Sequence, residues 1–165
     1  MKKLLLTTAT CFIVGTAAVA NAPITGTVES RCSIITEVAG VYGNPSPHRL
    51  STAPFDGGVR PRVRTDVVQA SAYKVIFSWP TEFSSSPALA DSVAWDGDVI
   101  VSAVSAPEMS AYESEKIQYN NHTEYLMEYA GSTWFEIESS VEYGAAKSFP
   151  GGQYSAVVVV QCIPT

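Results

Sequence analysis

Apolar residues return at every second position through one segment after another of this chain, while a helical repeat is hard to find. Tyr73, Val75, Phe77 and Trp79 alternate with Ala72, Lys74, Ile76 and Ser78 until Pro80 stops the run. Phe135, Ile137, Ser139 and Val141 alternate with Glu136, Glu138, Ser140 and Glu142. Successive side chains of a strand point to opposite faces, so each run offers one face to a core and the other to water. The chain is therefore expected to be all-β, and seven or so such runs separated by turn signals predict an antiparallel, immunoglobulin-like two-sheet sandwich.

Other runs fill in the expected sheet. Ile24, Val28, Cys32 and Ile34 fall on one face of a first strand, opposite Thr25, Thr27, Glu29, Arg31 and Ser33. Residues 41–58 hold Gly43, Asn44, Pro45, Pro47, Pro54 and Asp56-Gly57-Gly58, which predicts a long loop. Val59, Val63 and Val67 then point one way and Arg60, Arg62 and Arg64 the other. Further strands are expected around Val99–Val104, around Tyr125, Met127 and Tyr129, and over Tyr154–Cys162. Val157 to Val160 is apolar on both faces, the pattern of a strand in the middle of a packed sheet.

The N-terminus predicts export. Lys2 and Lys3 precede an apolar stretch from Leu4 to Val19, and Ala18-Val19-Ala20 supplies the small residues of a cleavage site. The stretch is interrupted by Thr7, Thr8, Thr10 and Thr16 and is short for a membrane span of about 20 residues. A leader over 1–20 leaves a single domain over 21–165, with no transmembrane segment expected in the mature chain. Thr8, Ala9 and Thr10 before Cys11 do not fit a lipid-attachment site, so Cys11 leaves with the leader. Cys32 and Cys162 remain, and in an oxidising compartment they are expected to form one structural disulfide tying the two ends together.

Charge narrows the partners. The full chain carries 10 Lys and Arg against 16 Asp and Glu, and loss of Lys2 and Lys3 leaves a formal charge of −8. That balance repels phosphate backbones, so nucleic acid is an unlikely partner. From Glu29 to Lys74 six basic residues face four acidic ones, whereas from Asp91 onward eleven acids face only Lys116 and Lys147. Charge is thus segregated along the chain.

Three strings resemble secreted bacterial surface-fibre subunits of the spore-coat-U-like and chaperone–usher pilin-like kind. They are Val28-Glu29-Ser30-Arg31-Cys32-Ser33-Ile34, Gly40-Val41-Tyr42-Gly43, and Phe149-Pro150-Gly151-Gly152-Gln153-Tyr154-Ser155-Ala156-Val157. The resemblance implies a first strand bearing a cysteine, a short hydrophobic-glycine segment, and a proline-glycine turn leading into a closing strand. It also implies assembly with copies of itself or other surface subunits, and a periplasmic chaperone as a transient partner. Two departures stand out. Val67 and Val68 occupy the neighbourhood where those families place the second cysteine, and residues 21–31 leave no spare strand ahead of the first.

No pattern announces a catalytic centre, and neither a catalytic residue nor a cofactor nor a metal is expected. His48 lies in a Pro/Ser loop and His122 in an Asn/Thr turn, neither at a spacing found in nucleophile or zinc motifs. Asp91, Asp96 and Asp98 lack the spacing of a calcium loop. Glu113 and Glu115, if in a strand, point the same way and make a solvated face. The candidate interaction surface comprises Arg60, Arg62, Arg64, Glu136, Glu138, Glu142, Trp95 and Trp134. Two arrangements are open for its charged stripes: they lie side by side and pair within the molecule, or they lie on different faces and recognise each other between molecules. The expected function is a non-catalytic structural or adhesive subunit at a bacterial cell surface. The alternative is a periplasmic or extracellular ligand-binding or inhibitor domain with the aromatic turns as its site.

Overall fold

The computed structural model describes residues 30–68, 72–144 and 147–165. The expected leader, Cys11 and the first half of the expected first strand lie outside them. Among the described residues ten strands form two antiparallel sheets: β1 (Arg31–Val38), β2 (Gly43–Ser46), β3 (Arg49–Ser51), β4 (Arg62–Val68), β5 (Tyr73–Ser78), β6 (Ala94–Val104), β7 (Ile117–Gln118), β8 (His122–Met127), β9 (Gly131–Glu142) and β10 (Val159–Pro164). One short helical turn, α1 (Tyr112–Glu115), precedes β7.

β9 organises the first sheet. One of its edges pairs with β6 over nearly its whole length. The other edge is shared in tandem by β4, opposite Gly131 to Glu136, and β3, opposite Ser140 to Glu142. Between them the gap is bridged by Pro61 and Thr52, whose carbonyl and backbone N–H bond Ile137 and Ser139. β1 lies outside β4 and β2 outside β3. The second sheet runs β10-β5-β8-β7.

The alternation read from the sequence sets the inner faces. Tyr73, Val75 and Phe77 of β5, Tyr125 and Met127 of β8, and Thr133, Phe135, Ile137 and Val141 of β9 are buried. Phe77, Tyr125 and Phe135 meet with ring centroids 4.8–5.9 Å apart, an aromatic centre in which each buried ring stabilises by roughly 1.5–3 kcal/mol. The Tyr125 hydroxyl donates to the Val99 carbonyl at 2.7 Å, so this deep phenol is not left unsatisfied.

Several expectations need correction. Residues 41–58 are not one loop: β2, β3 and a 3-10 turn over Pro54–Asp56 form there, with Leu50 to Ala53 buried against β9. β6 starts at Ala94 rather than Val99, and Tyr129 lies beyond the end of β8, exposed. β10 is not in the middle of a sheet. It is an edge strand among the described residues; along it and the chain just before it, Val158 and Val160 pack on the core while Val157 and Val159 face outward.

β1 and β10 lie at the same side of the two layers, and the Cys32–Cys162 disulfide joins them with Cα atoms 6.3 Å apart across a separation of 130 residues. Among the described residues no helix is long and apolar enough to cross a membrane.

Candidate functional site: a charged sheet face and an aromatic end

The arginines and glutamates singled out from the sequence converge on the outer face of the first sheet. Register places Arg62 opposite Glu136 and Arg64 opposite Trp134, so the basic stripe of β4 and the acidic stripe of β9 are neighbours. Arg60, just ahead of β4, donates from Nε to Glu138 Oε2 at 3.0 Å and lies 3.8 Å from Glu136. Arg62 and Arg64 do not pair with β9. They share Glu37, at 3.6 and 3.2 Å, and Arg64 also reaches Asp66 at 3.0 Å.

Glu37 is the residue sequence reasoning missed. It occupies the bulge between Thr36 and Val38 of β1, where register with β4 shifts, and it also accepts the Trp134 indole N–H at 3.1 Å. Trp134 is therefore half-buried and anchored over this charge cluster. Glu142 lies opposite Arg49 at the far end of β9, exposed and without an ion pair among the described residues. The Arg49 guanidinium turns instead to Asp56, 3.8 Å away.

Trp95 is elsewhere. It is half-buried rather than part of an exposed patch, with its ring 4.8 Å from Phe83, which also meets Phe149 and Tyr154. This second aromatic cluster closes the end of the sandwich beneath the chain that leads into β10. On its flank Trp79, Pro80, Thr81, Trp95, Asn120 and Asn121 line a shallow cleft of about 240 Å³. Trp79 lies so close over Gly97 that a Cβ there would stand 2.7 Å from its ring.

A larger groove, about 700 Å³, lies between Gly40, Val41, Tyr42, Asn44 and Leu50 on one side and residues 149–156 on the other. Two of the three strings that carry the family resemblance thus form opposite walls of one groove, although more than 100 residues separate them. Burial raises the Tyr42 phenol above its ordinary pKa despite its hydrogen bond to Ser139, and burial likewise raises Tyr154.

The other titratable groups considered from the sequence have separate local partners. Asp91 pairs with Lys147, Asp96 accepts the N–H of Gly97, and Asp98 takes Lys116 and Gln118, so the three aspartates do not converge. Among the described residues no three of His, Cys, Asp and Glu gather as metal ligands would. His122 is not in a loose turn: it begins β8, stacks on Tyr119 and reaches Glu124 at 3.3 Å. A hydrogen bond from Lys74 holds the Glu124 carboxyl below its usual range, and the same bond raises Lys74. Glu113 and Glu115 lie on α1, not on a strand, and Glu113 accepts the Val101 N–H at 2.7 Å. His48 is half-buried in the β2–β3 turn, 3.5 Å from Ser46 Oγ.

No family model matches this chain, and no curated protein is significantly similar to it.

Proposed function

We propose that this chain is an exported, non-catalytic structural or adhesive subunit of a bacterial cell-surface assembly, of the spore-coat-U-like or pilin-like kind. The observation that carries the reading is the groove walled by the Gly40-Val41-Tyr42 string and the Phe149–Ala156 string. Residues shared with such subunits by resemblance alone come together at one place on the surface. The Cys32–Cys162 bridge between β1 and β10 supports an oxidising destination, since one disulfide closing a long loop is characteristic of exported rather than cytosolic domains.

In this reading the immunoglobulin-like character lies in the first sheet. With the short β2, β3 and β7 left out of the count, its strands β1, β4, β9 and β6 are first, second, sixth and fourth in chain order, against first, second, fifth and fourth in the constant-type sandwich. Partners are further copies or other surface subunits, with a periplasmic chaperone during export. Size-exclusion chromatography with light scattering at low and high salt tests the reading. Concentration-dependent oligomers are expected, and monomers at every concentration and salt would sink it.

A second reading, a ligand-binding domain, is favoured by one observation: the Trp79–Trp95 cleft, in which the Trp95 indole N–H is buried without a hydrogen-bond partner and the Asn120 side chain is exposed. Persistent monomers with a saturable change in tryptophan fluorescence on adding a soluble glycan would move the assignment there.

A further inference from the structure

We propose that β1 pairs edge to edge with β1 of a second copy of this chain, antiparallel about a twofold axis at Ile34, joining two sandwiches side by side. The inference rests on the assembly reading above and specifies the surface that performs it.

The argument begins with how the sheet edges are protected. An unpaired edge strand is a template for another strand, and native sheets blunt such edges with short length, proline, bulges or capping side chains. β2 has four residues and contains Pro45, and β7 has two. β6 is long but capped: Glu113 takes the Val101 N–H, Lys116 and Tyr125 both donate to the Val99 carbonyl, and the strand is bulged between Val101 and Ala103. β10 has six residues and ends in Pro164. β1 has eight residues with its bulge only near the end, at Glu37, no proline, and no described residue paired to its outer edge.

Symmetry then selects the register. A twofold axis perpendicular to the sheet keeps inner residues beside inner residues, so only same-parity pairings keep both cores buried. Centring on Ile34 uses the strand from Arg31 to the bulge at Glu37. It sets Ile34 against Ile34, Cys32 against Thr36, Ser33 against Ile35, and Arg31 against Glu37 of the second copy.

That last pair sets opposite charges across the seam, with Arg31 joining Arg62 and Arg64 around the Glu37 carboxylate. Every other arginine and lysine among the described residues has a carboxylate within 4.0 Å, whereas Arg31 is exposed and has none there. Opposite charges directly across a strand pair favour the register by a few tenths of a kcal/mol and disfavour shifts.

Apolar side chains flank the seam on both layers: Ile35 and Val68 are exposed on the outer face of the first sheet, and Val159 and Ile163 on the outer face of the second. Seven residues at ~3.4 Å and two layers ~10 Å apart with their side chains give on the order of 1,000 Å² buried in total. An interface of that size forms a weak, concentration-dependent dimer.

Amide hydrogen exchange of the disulfide-intact protein at about 5 μM and about 500 μM, with light scattering on the same samples, tests this across the range where a micromolar dimer forms. At the higher concentration the mass should double and the outward amides between Cys32 and Thr36 should exchange roughly ten-fold more slowly. Arg31→Glu, which sets like charges across the seam, should abolish both effects. Unchanged β1 exchange overturns the proposal, whether fast, as for a bare edge, or slow, as for an edge covered within the chain. If oligomers form while β1 exchange stays constant, this interface is wrong and the assembly reading survives; monomers throughout remove both. Concentration-dependent protection that Arg31→Glu leaves intact overturns the Ile34 register. Should that variant fail to fold, the unaltered protein still decides whether β1 is the interface.

Discussion

Glu37 holds together more of the charged face than any residue picked out from the sequence. Its carboxylate serves Arg62, Arg64 and the Trp134 indole, three groups from two strands. Each interaction is partly exposed and individually small, but one carboxylate immobilising three partners spends side-chain entropy only once. Glu37→Gln should therefore cost about 1 kcal/mol in urea unfolding, with a red shift of Trp134 fluorescence in the folded state. Alternation made Arg60, Arg62 and Arg64 legible as one stripe. Nothing local marked Glu37, because its position depends on a bulge in β1 and on β1 lying beside β4.

At the scale of elements, β9 explains why residues 41–58 form strands where the sequence predicts a loop. Proline and glycine there do signal turns, and three- or four-residue strands carry too little pattern to be seen between them. They form because β9 runs on past the end of β4 and offers unpaired backbone, which β3 and Thr52 satisfy. The same docking demands glycine where the chain folds under itself. A Cβ on Gly43 would collide with the Asp56 carbonyl oxygen, which is backbone and cannot swing away. Gly43→Ala is expected to destabilise by about 1–3 kcal/mol, the cost of overpacking, with the chemical-shift changes in NMR spectra concentrated in β2, β3 and the 54–58 turn.

For the whole molecule, the disulfide is the longest-range constraint. By the chain-entropy model, closing a loop of this length stabilises by about 5 kcal/mol, comparable to the whole stability of many domains. The double variant Cys32→Ser, Cys162→Ser should lose most of that in chemical unfolding, and a loss under about 1 kcal/mol would show that the sheets hold β1 and β10 together unaided. The fold joins the basic first half to the acidic second half at one point on this face, where Arg60 meets Glu136 and Glu138 of β9, while Arg62 and Arg64 are balanced by Glu37 and Asp66 of their own half.

The sequence by itself determined the all-β class, the inner and outer faces of β5, β8 and β9, and the pairing of the two cysteines. These are short-range or countable: a period of two fixes which side chains share a face, and with Cys11 assigned to the expected leader, Cys32 and Cys162 leave one intramolecular pairing. Tertiary structure alone decided which strands are neighbours and which lie at an edge. The apolar run at Val157–Val160 reads as a central strand, yet β10 ends beside β5 alone, because burial of alternate residues against a core and pairing on both backbone edges are separate properties. Hydrophobicity reports the first and is silent on the second, so the charged face, the groove and the position of β1 at the end of its sheet depend on the order of the strands.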